Sequence, residues 1–164
     1  MAVDGLVALG APDFKSTQLS ASIATATTAV DLARMAGVNL YLVFFDVILG
    51  RLLIAAGQPE QARRRLDIGL QSAQDTGIRY YDAEMLRLRA HTHTDLDARQ
   101  ADIVAALELA RRQRAPLFEL RAALDDFELR GEPARAALAE VVSRFPRDGS
   151  WPELARARAS LSED

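Results

Sequence analysis

The stretch LGRLLIAAGQPEQARRRLDIGL, Leu49 to Leu70, decides how the rest of the chain is read. An apolar run ends at Gly57, a proline follows two positions later, and a helix-forming segment runs on to the small residue Gly69. Gly57 suits the left-handed residue that closes a last helical turn. Pro59 suits a first turn, where its missing N–H is not needed, and Glu60 faces the positive end of the helix dipole. The stretch therefore reads as two antiparallel helices joined by a tight turn.

Outward from this hairpin the pattern repeats. The turn GQPEQA at Gly57 returns as GEPARA at Gly131, 74 residues on, which is twice 37, and Thr94 stands midway. Gly69 and Ala106 are likewise 37 apart, each followed by leucine (Leu70, Leu107). A second corner appears three times, as LARMAGVNLY (32–41), SAQDTGIRYY (72–81) and LARRQRAPLF (109–118). Aligned on Ala33, Ala73 and Ala110 and on Tyr41, Tyr81 and Phe118, these copies lie 40 and then 37 residues apart. The longer first interval predicts a longer helix over 38–56. Two helices per unit at such a period mark an α-solenoid. Helices are expected at 17–36, 38–56, 59–76, 79–93, 97–114, 116–130, 133–145 and 152–161. Alternation at period two is absent and alanine is frequent, so no strand is expected. The fold class is all-α: a single domain over 1–164, about four stacked hairpins closed by a capping helix at 152–161 that Trp151 packs down. Residues 1–16 read as a fragment of a preceding helix and its linker.

Composition restricts the functions open to such a chain. With 164 residues, 49% hydrophobic and 26% charged, it can bury a sizeable core. A net charge of -3 argues against direct nucleic-acid binding, which needs concentrated positive charge. Cysteine is absent, which removes thiol nucleophiles, disulfides and thiolate zinc sites. No secretory leader is apparent in MAVDGLVALGAPD, so a cytoplasmic location is expected. The segment Val38–Ala56 is apolar nearly all round, but Asp46 and Arg51 interrupt it. Such charges are costly in lipid, so it is read as a helix buried between neighbours rather than a membrane span.

The hairpin at Leu49–Leu70 resembles the tetratricopeptide repeat, through Leu49-Gly50, Leu53, Gly57, Ala62, Leu66 and Gly69-Leu70. It departs in having Leu53 and Leu66 for the usual aromatics and Gly69 for an alanine. Later units depart further, with Arg87, Thr94 and Arg99 at positions usually filled by glycine, glycine and alanine. Residues Ala29 to Leu161 resemble something narrower: the helical-repeat C-terminal region of large bacterial signalling ATPases, adenylate-cyclase-like and LuxR-type transcription regulators. The stretches that carry it are AAGQPEQARRRLDIGLQSAQDTGIRYYDAEMLRLRA, ALELARRQRAPLFELRAAL and FPRDGSWPELARARASL. Arg114 stands where that family's corner usually has glycine. The resemblance implies a non-catalytic module that binds a protein partner or peptide segment, or senses an effector, beside an attached ATPase, cyclase or DNA-binding domain. No GxxxxGK[ST] phosphate loop is present, and Lys15 is the only lysine. No cofactor, metal or catalytic residue is therefore expected, and the second reading is a homodimer formed through the solenoid ends.

The polar clusters are read on the same footing. His91 and His93, two apart, would point about 200° apart on a helix and cannot chelate one ion together, so they are taken as a solvated helix end. Asp125, Asp126 and Glu128 are taken as a charged helix face with Arg121 and Arg130 as partners. Arg63–Arg65 and the basic group around Arg111, Arg112 and Arg114 are taken as exposed. In a tetratricopeptide-like superhelix the first helix of each pair lines the concave surface. The register of Leu49-Gly50 then places Phe44, Arg51, Tyr81, Glu84, His91, Phe118, Arg121 and Asp125 on the partner-binding face. The competing reading gives Tyr41, Phe44, Phe45, Tyr80, Tyr81 and Phe118 to the joints between hairpins.

Overall fold

A computed structural model describes residues 16–38 and 41–162. The expected fragment of an earlier helix at 1–16 lies outside them except for Ser16. The described residues form eight helices and no strand: α1 (Ser16–Met35), α2 (Leu42–Ala55), α3 (Pro59–Thr76), α4 (Asp82–Ala90), α5 (Leu96–Gln113), α6 (Pro116–Arg130), α7 (Glu132–Ser143) and α8 (Pro152–Ser162). The all-α expectation holds, and most boundaries fall within two residues of the sequence reading.

The exceptions have local causes. α4 covers nine residues rather than the expected 79–93. Its end is turned off by Thr92, whose hydroxyl donates to the Arg89 carbonyl at 2.7 Å. Asp95 then starts the next helix by accepting from the Ala98 N–H at 2.8 Å. α2 is 14 residues long and ends at Ala55, so the longer helix inferred from the 40-residue interval is not formed. Prolines occupy the first turn of α3, α6 and α7 as expected. Gly37, Gly57, Gly77 and Gly131 all adopt positive φ. At the third corner Arg114 takes the glycine's place and is held at φ 53°, the one non-glycine at positive φ among the described residues.

Neighbours in sequence pack as neighbours in space, and a second order of contact joins every other helix: α2 touches α4, α4 touches α6, and α6 touches α8. The core follows this order in three clusters. Val30, Leu42 and Leu49 join α1 to α2. Val43, Val47, Leu66, Ala73, Met85 and Leu88 join α2, α3 and α4. The largest, which includes Leu107, Leu120, Leu124, Leu138 and Leu154, spans α5 to α8. The small residues that mark the period sit where helices cross. A Cβ on Gly50 would lie 2.6 Å from the Leu66 side chain, and one on Gly69 would lie 2.7 Å from Met85 Sδ and 2.9 Å from Asp46 Cβ.

Trp151 does not pack the last helix down. It stays 46% exposed and meets Phe145 edge-on at 5.9 Å, while Leu154 and Ala157 are the α8 side chains that bury. No described helix is long and apolar enough to cross a membrane. In α2 the run of buried positions on opposite sides of the helix, from Leu42 through Leu53, explains the apolar sequence of 38–56.

Candidate partner-binding face

The alternate helices α2, α4 and α6 bring one aromatic side chain each into a row. Phe44 and Tyr81 have ring centroids 5.6 Å apart, and Tyr81 and Phe118 are 5.7 Å apart, all tilted. Tilted pairs at this separation are favourable beyond the area they bury. All three are half-buried, so the row seals the joints between helices and still presents ring surface. The three residues of the row are 37 and 37 apart. Tyr41 and Tyr81 each directly precede a helix with nearly the same backbone angles, 40 residues apart as the sequence alignment has them, but Tyr41 is exposed and it is Phe44 whose ring meets Tyr81. Phe45 and Tyr80 extend the row sideways, at 5.7 Å from Phe44 and 4.8 Å from Tyr81. Burial, the neighbouring Tyr80 and the Glu84 carboxylate push the Tyr81 phenol up, so it stays protonated.

Beside the aromatic row runs a ladder of buried charge. Glu84 is fully buried and grips Arg87 through two bonds of 2.9 Å, Nε to Oε2 and Nη2 to Oε1. Arg121 Nη1 reaches the same Glu84 Oε1 at 3.3 Å, while its Nη2 and Nε bind Glu153 Oε1 on α8 at 2.6 Å and 2.8 Å. Arg87 Nη1 crosses to Asp125 Oδ2 on α6 at 2.8 Å. His91 Nε2 lies 2.6 Å from that oxygen. Such a contact to a carboxylate requires the proton on Nε2, so Arg87, at 3.3 Å from this nitrogen, is a neighbour rather than a donor to it. Burial alone would raise the Glu84 carboxyl, but Arg87, Arg121 and Arg51 draw it below its ordinary value. Asp125 follows the same balance, with His91 and Arg87 outweighing its burial. Arg87 is raised by Glu84 and Asp125 against its own desolvation.

Of the eight residues expected on a binding face, Phe44, Tyr81 and Phe118 form the row and Glu84, His91, Arg121 and Asp125 the ladder, but Glu84 and Asp125 are buried and present nothing to a partner, while Arg51 is exposed. His91 is not a solvated helix end, because Asp125 holds it. His93 likewise binds Asp102 Oδ2 at 2.9 Å, beside Arg89, which binds both Asp102 oxygens. Asp125 and Asp126 are buried rather than on an exposed charged face; Arg130 pairs with Asp126 at i,i+4 as expected, and Asp125 lies under Arg87. Arg121 is not the partner of Asp125 but of Glu84 and Glu153. The basic run at Arg63–Arg65 is also split, since Arg65 turns inward to Asp46 at 2.7 Å, with Arg34 at 3.1 Å on the same carboxylate. Sequence reasoning missed Arg87 and Glu153. The spacing Glu84–Arg87 at i,i+3 was a usable signal for the first; the second depends on how α8 folds back, which no local pattern encodes. Among the described residues there is no group of three or more side chains placed to hold a metal ion.

Comparison with known protein families, with curated proteins and with solved structures finds no match to this chain.

Proposed function

We propose that this chain is a tetratricopeptide-like solenoid that acts as a non-catalytic interaction module, receiving a protein segment on the face formed by α2, α4 and α6. The contact of each of these helices with the next but one supports the solenoid reading, together with the recurrence at 37 residues of Gly57, Thr94 and Gly131 and of the three rings. The observation that carries the binding reading is the continuous aromatic row Phe44–Tyr81–Phe118. Half-buried rings in line across three helices give a peptide a rigid surface with little conformational entropy to lose. The resemblance noted in the sequence extends this to the regulatory repeat region of a bacterial signalling ATPase or transcription regulator, where occupancy of the face would bias an attached domain.

The test compares proteins captured by the native chain and by Phe44→Ser with Phe118→Ser. A partner held by the native chain and lost from the variant, with helicity unchanged, supports the assignment. An identical set of captured proteins refutes it.

A second reading is self-association through the α1 end. Leu32, Met35, Val38 and Tyr41 are 60%, 85%, 50% and 57% exposed, an unusual concentration of uncovered apolar side chains at one end. Light scattering over a range of concentrations decides it: a strict monomer excludes the reading.

A further inference from the structure

We infer that the segment received by this face carries a side-chain carboxylate that pairs with Arg51 beside the aromatic row. This rests on the reading of the face given above and adds the chemistry of the ligand.

The other two arginines of the ladder are fully engaged. Arg87 serves Glu84 and Asp125, and Arg121 serves Glu84 and Glu153. Arg51 stands on the same face, is exposed, and makes no hydrogen bond or ion pair among the described residues. Glu84 is the carboxylate whose charge it feels most, but both oxygens of Glu84 are already taken by Arg87 and one also by Arg121. Partial burial of its side chain lowers the Arg51 pKa, and Arg121 and Arg87 add to this against the opposing pull of Glu84. A guanidinium offers a planar fork matched to a carboxylate, and here no side chain of the described residues occupies it. A doubly charged phosphate fits less well, because Glu84 and Glu153 lie within range of the same site.

Position fixes the spacing the ligand needs. Phe44 and Arg51 are seven residues apart on α2, two helical turns, so they share a flank about 10 Å apart. An extended chain rises about 3.3 Å per residue. An apolar side chain seated on the row and a carboxylate at Arg51 are then about two to four residues apart in the ligand. The surface does not end at Arg51. Ile48 and Leu52, on the adjoining flank, line an open groove with Thr25, Ala26 and Ala29 of α1. A segment that reaches Arg51 from the row therefore has further apolar surface beside it on α2, which suits an internal aspartate or glutamate rather than a chain terminus.

The experiment selects a displayed library of random decapeptides on the native chain. Selected peptides are resynthesised with each acidic residue changed to its amide. Binding is then measured by fluorescence anisotropy to the native chain, to Arg51→Gln and to Phe44→Ser with Phe118→Ser. The expected peptides carry an acidic residue two to four positions from an apolar one. The amide forms bind the native chain at least tenfold more weakly, and Arg51→Gln removes that difference while keeping the native urea midpoint. Peptides that bind equally in acid and amide form, yet need Phe44 and Phe118, overturn the role of Arg51 and leave the face standing. Peptides indifferent to Phe44 and Phe118, or no selected peptide at all, overturn both.

Discussion

Two buried carboxylates show how differently the same residue type can act within one fold. Glu84 sits among arginines that outweigh its desolvation, whereas for Asp46 burial outweighs Arg65 and Arg34, and its carboxyl is held above the ordinary value. Removing one member of a buried ion pair strands the other, at a cost of about 3–5 kcal/mol. Glu84→Ala should lose about that much in urea denaturation, since Arg87 would be left buried with one partner fewer. Asp46→Asn should lose clearly less, because Arg34 and Arg65 reach solvent or Asp31 and the amide is cheaper to bury. Equal losses from the two substitutions would contradict this ranking. The difference is not visible in the sequence: Asp46 interrupts an apolar run, Glu84 follows two tyrosines, and neither neighbourhood names the arginines that decide the outcome. Arg87 apart, which lies three residues from Glu84, those come from 12 to 37 residues away.

Elements were far more legible than partners, because helix ends are written in local chemistry. Gly57, Pro59, Gly77, Pro116 and Gly131 mark their turns by the conformations they permit, and the structure places a turn at each. α4 was misread because Thr92 acts through a side-chain bond to its own backbone, a competition that apolar periodicity does not register. At the first corner Tyr41 precedes α2 as Tyr81 precedes α4, yet it is Phe44, one turn further on, whose ring meets Tyr81, and only that contact tells the two aromatics apart. Two substitutions test opposite strains at this scale. Gly69→Ala pushes a methyl against Met85 Sδ and Asp46 Cβ, both buried, and should destabilise by about 1–3 kcal/mol. Arg114→Gly relieves a left-handed non-glycine whose side chain is exposed, and should stabilise by about 1 kcal/mol. Thermal and urea unfolding read both signs; the same sign for both would reject the account.

Across the whole molecule, acidic groups with lowered pKa are spread over four helices: Glu84 on α4, Asp102 on α5, Asp125 on α6 and Glu153 on α8. Each contributes stability that is present above its unfolded value, about 4, and is lost as pH falls through its lower folded value. Asp46 runs the other way: its contribution is present at low pH and lost as pH rises through its raised folded value. Four against one, the urea midpoint should hold steady from pH 7 to about 5 and drop steeply below about 4. A midpoint unchanged down to pH 3 would show that these pairs contribute nothing net.

The uniform spacing of Phe44, Tyr81 and Phe118 implies that one unit could be lost in a genetic deletion and the rings would still meet. Removing residues 78–114, one period of 37, would bring Phe118 into the place of Tyr81 and Arg121 into that of Glu84. The rings are interchangeable; the charges are not. Asp125 would come to lie where Leu88 was, with neither Arg87 nor His91 to meet it. Each joint thus has its own key, and a deletion that keeps the rings in line would still leave buried charges without their partners.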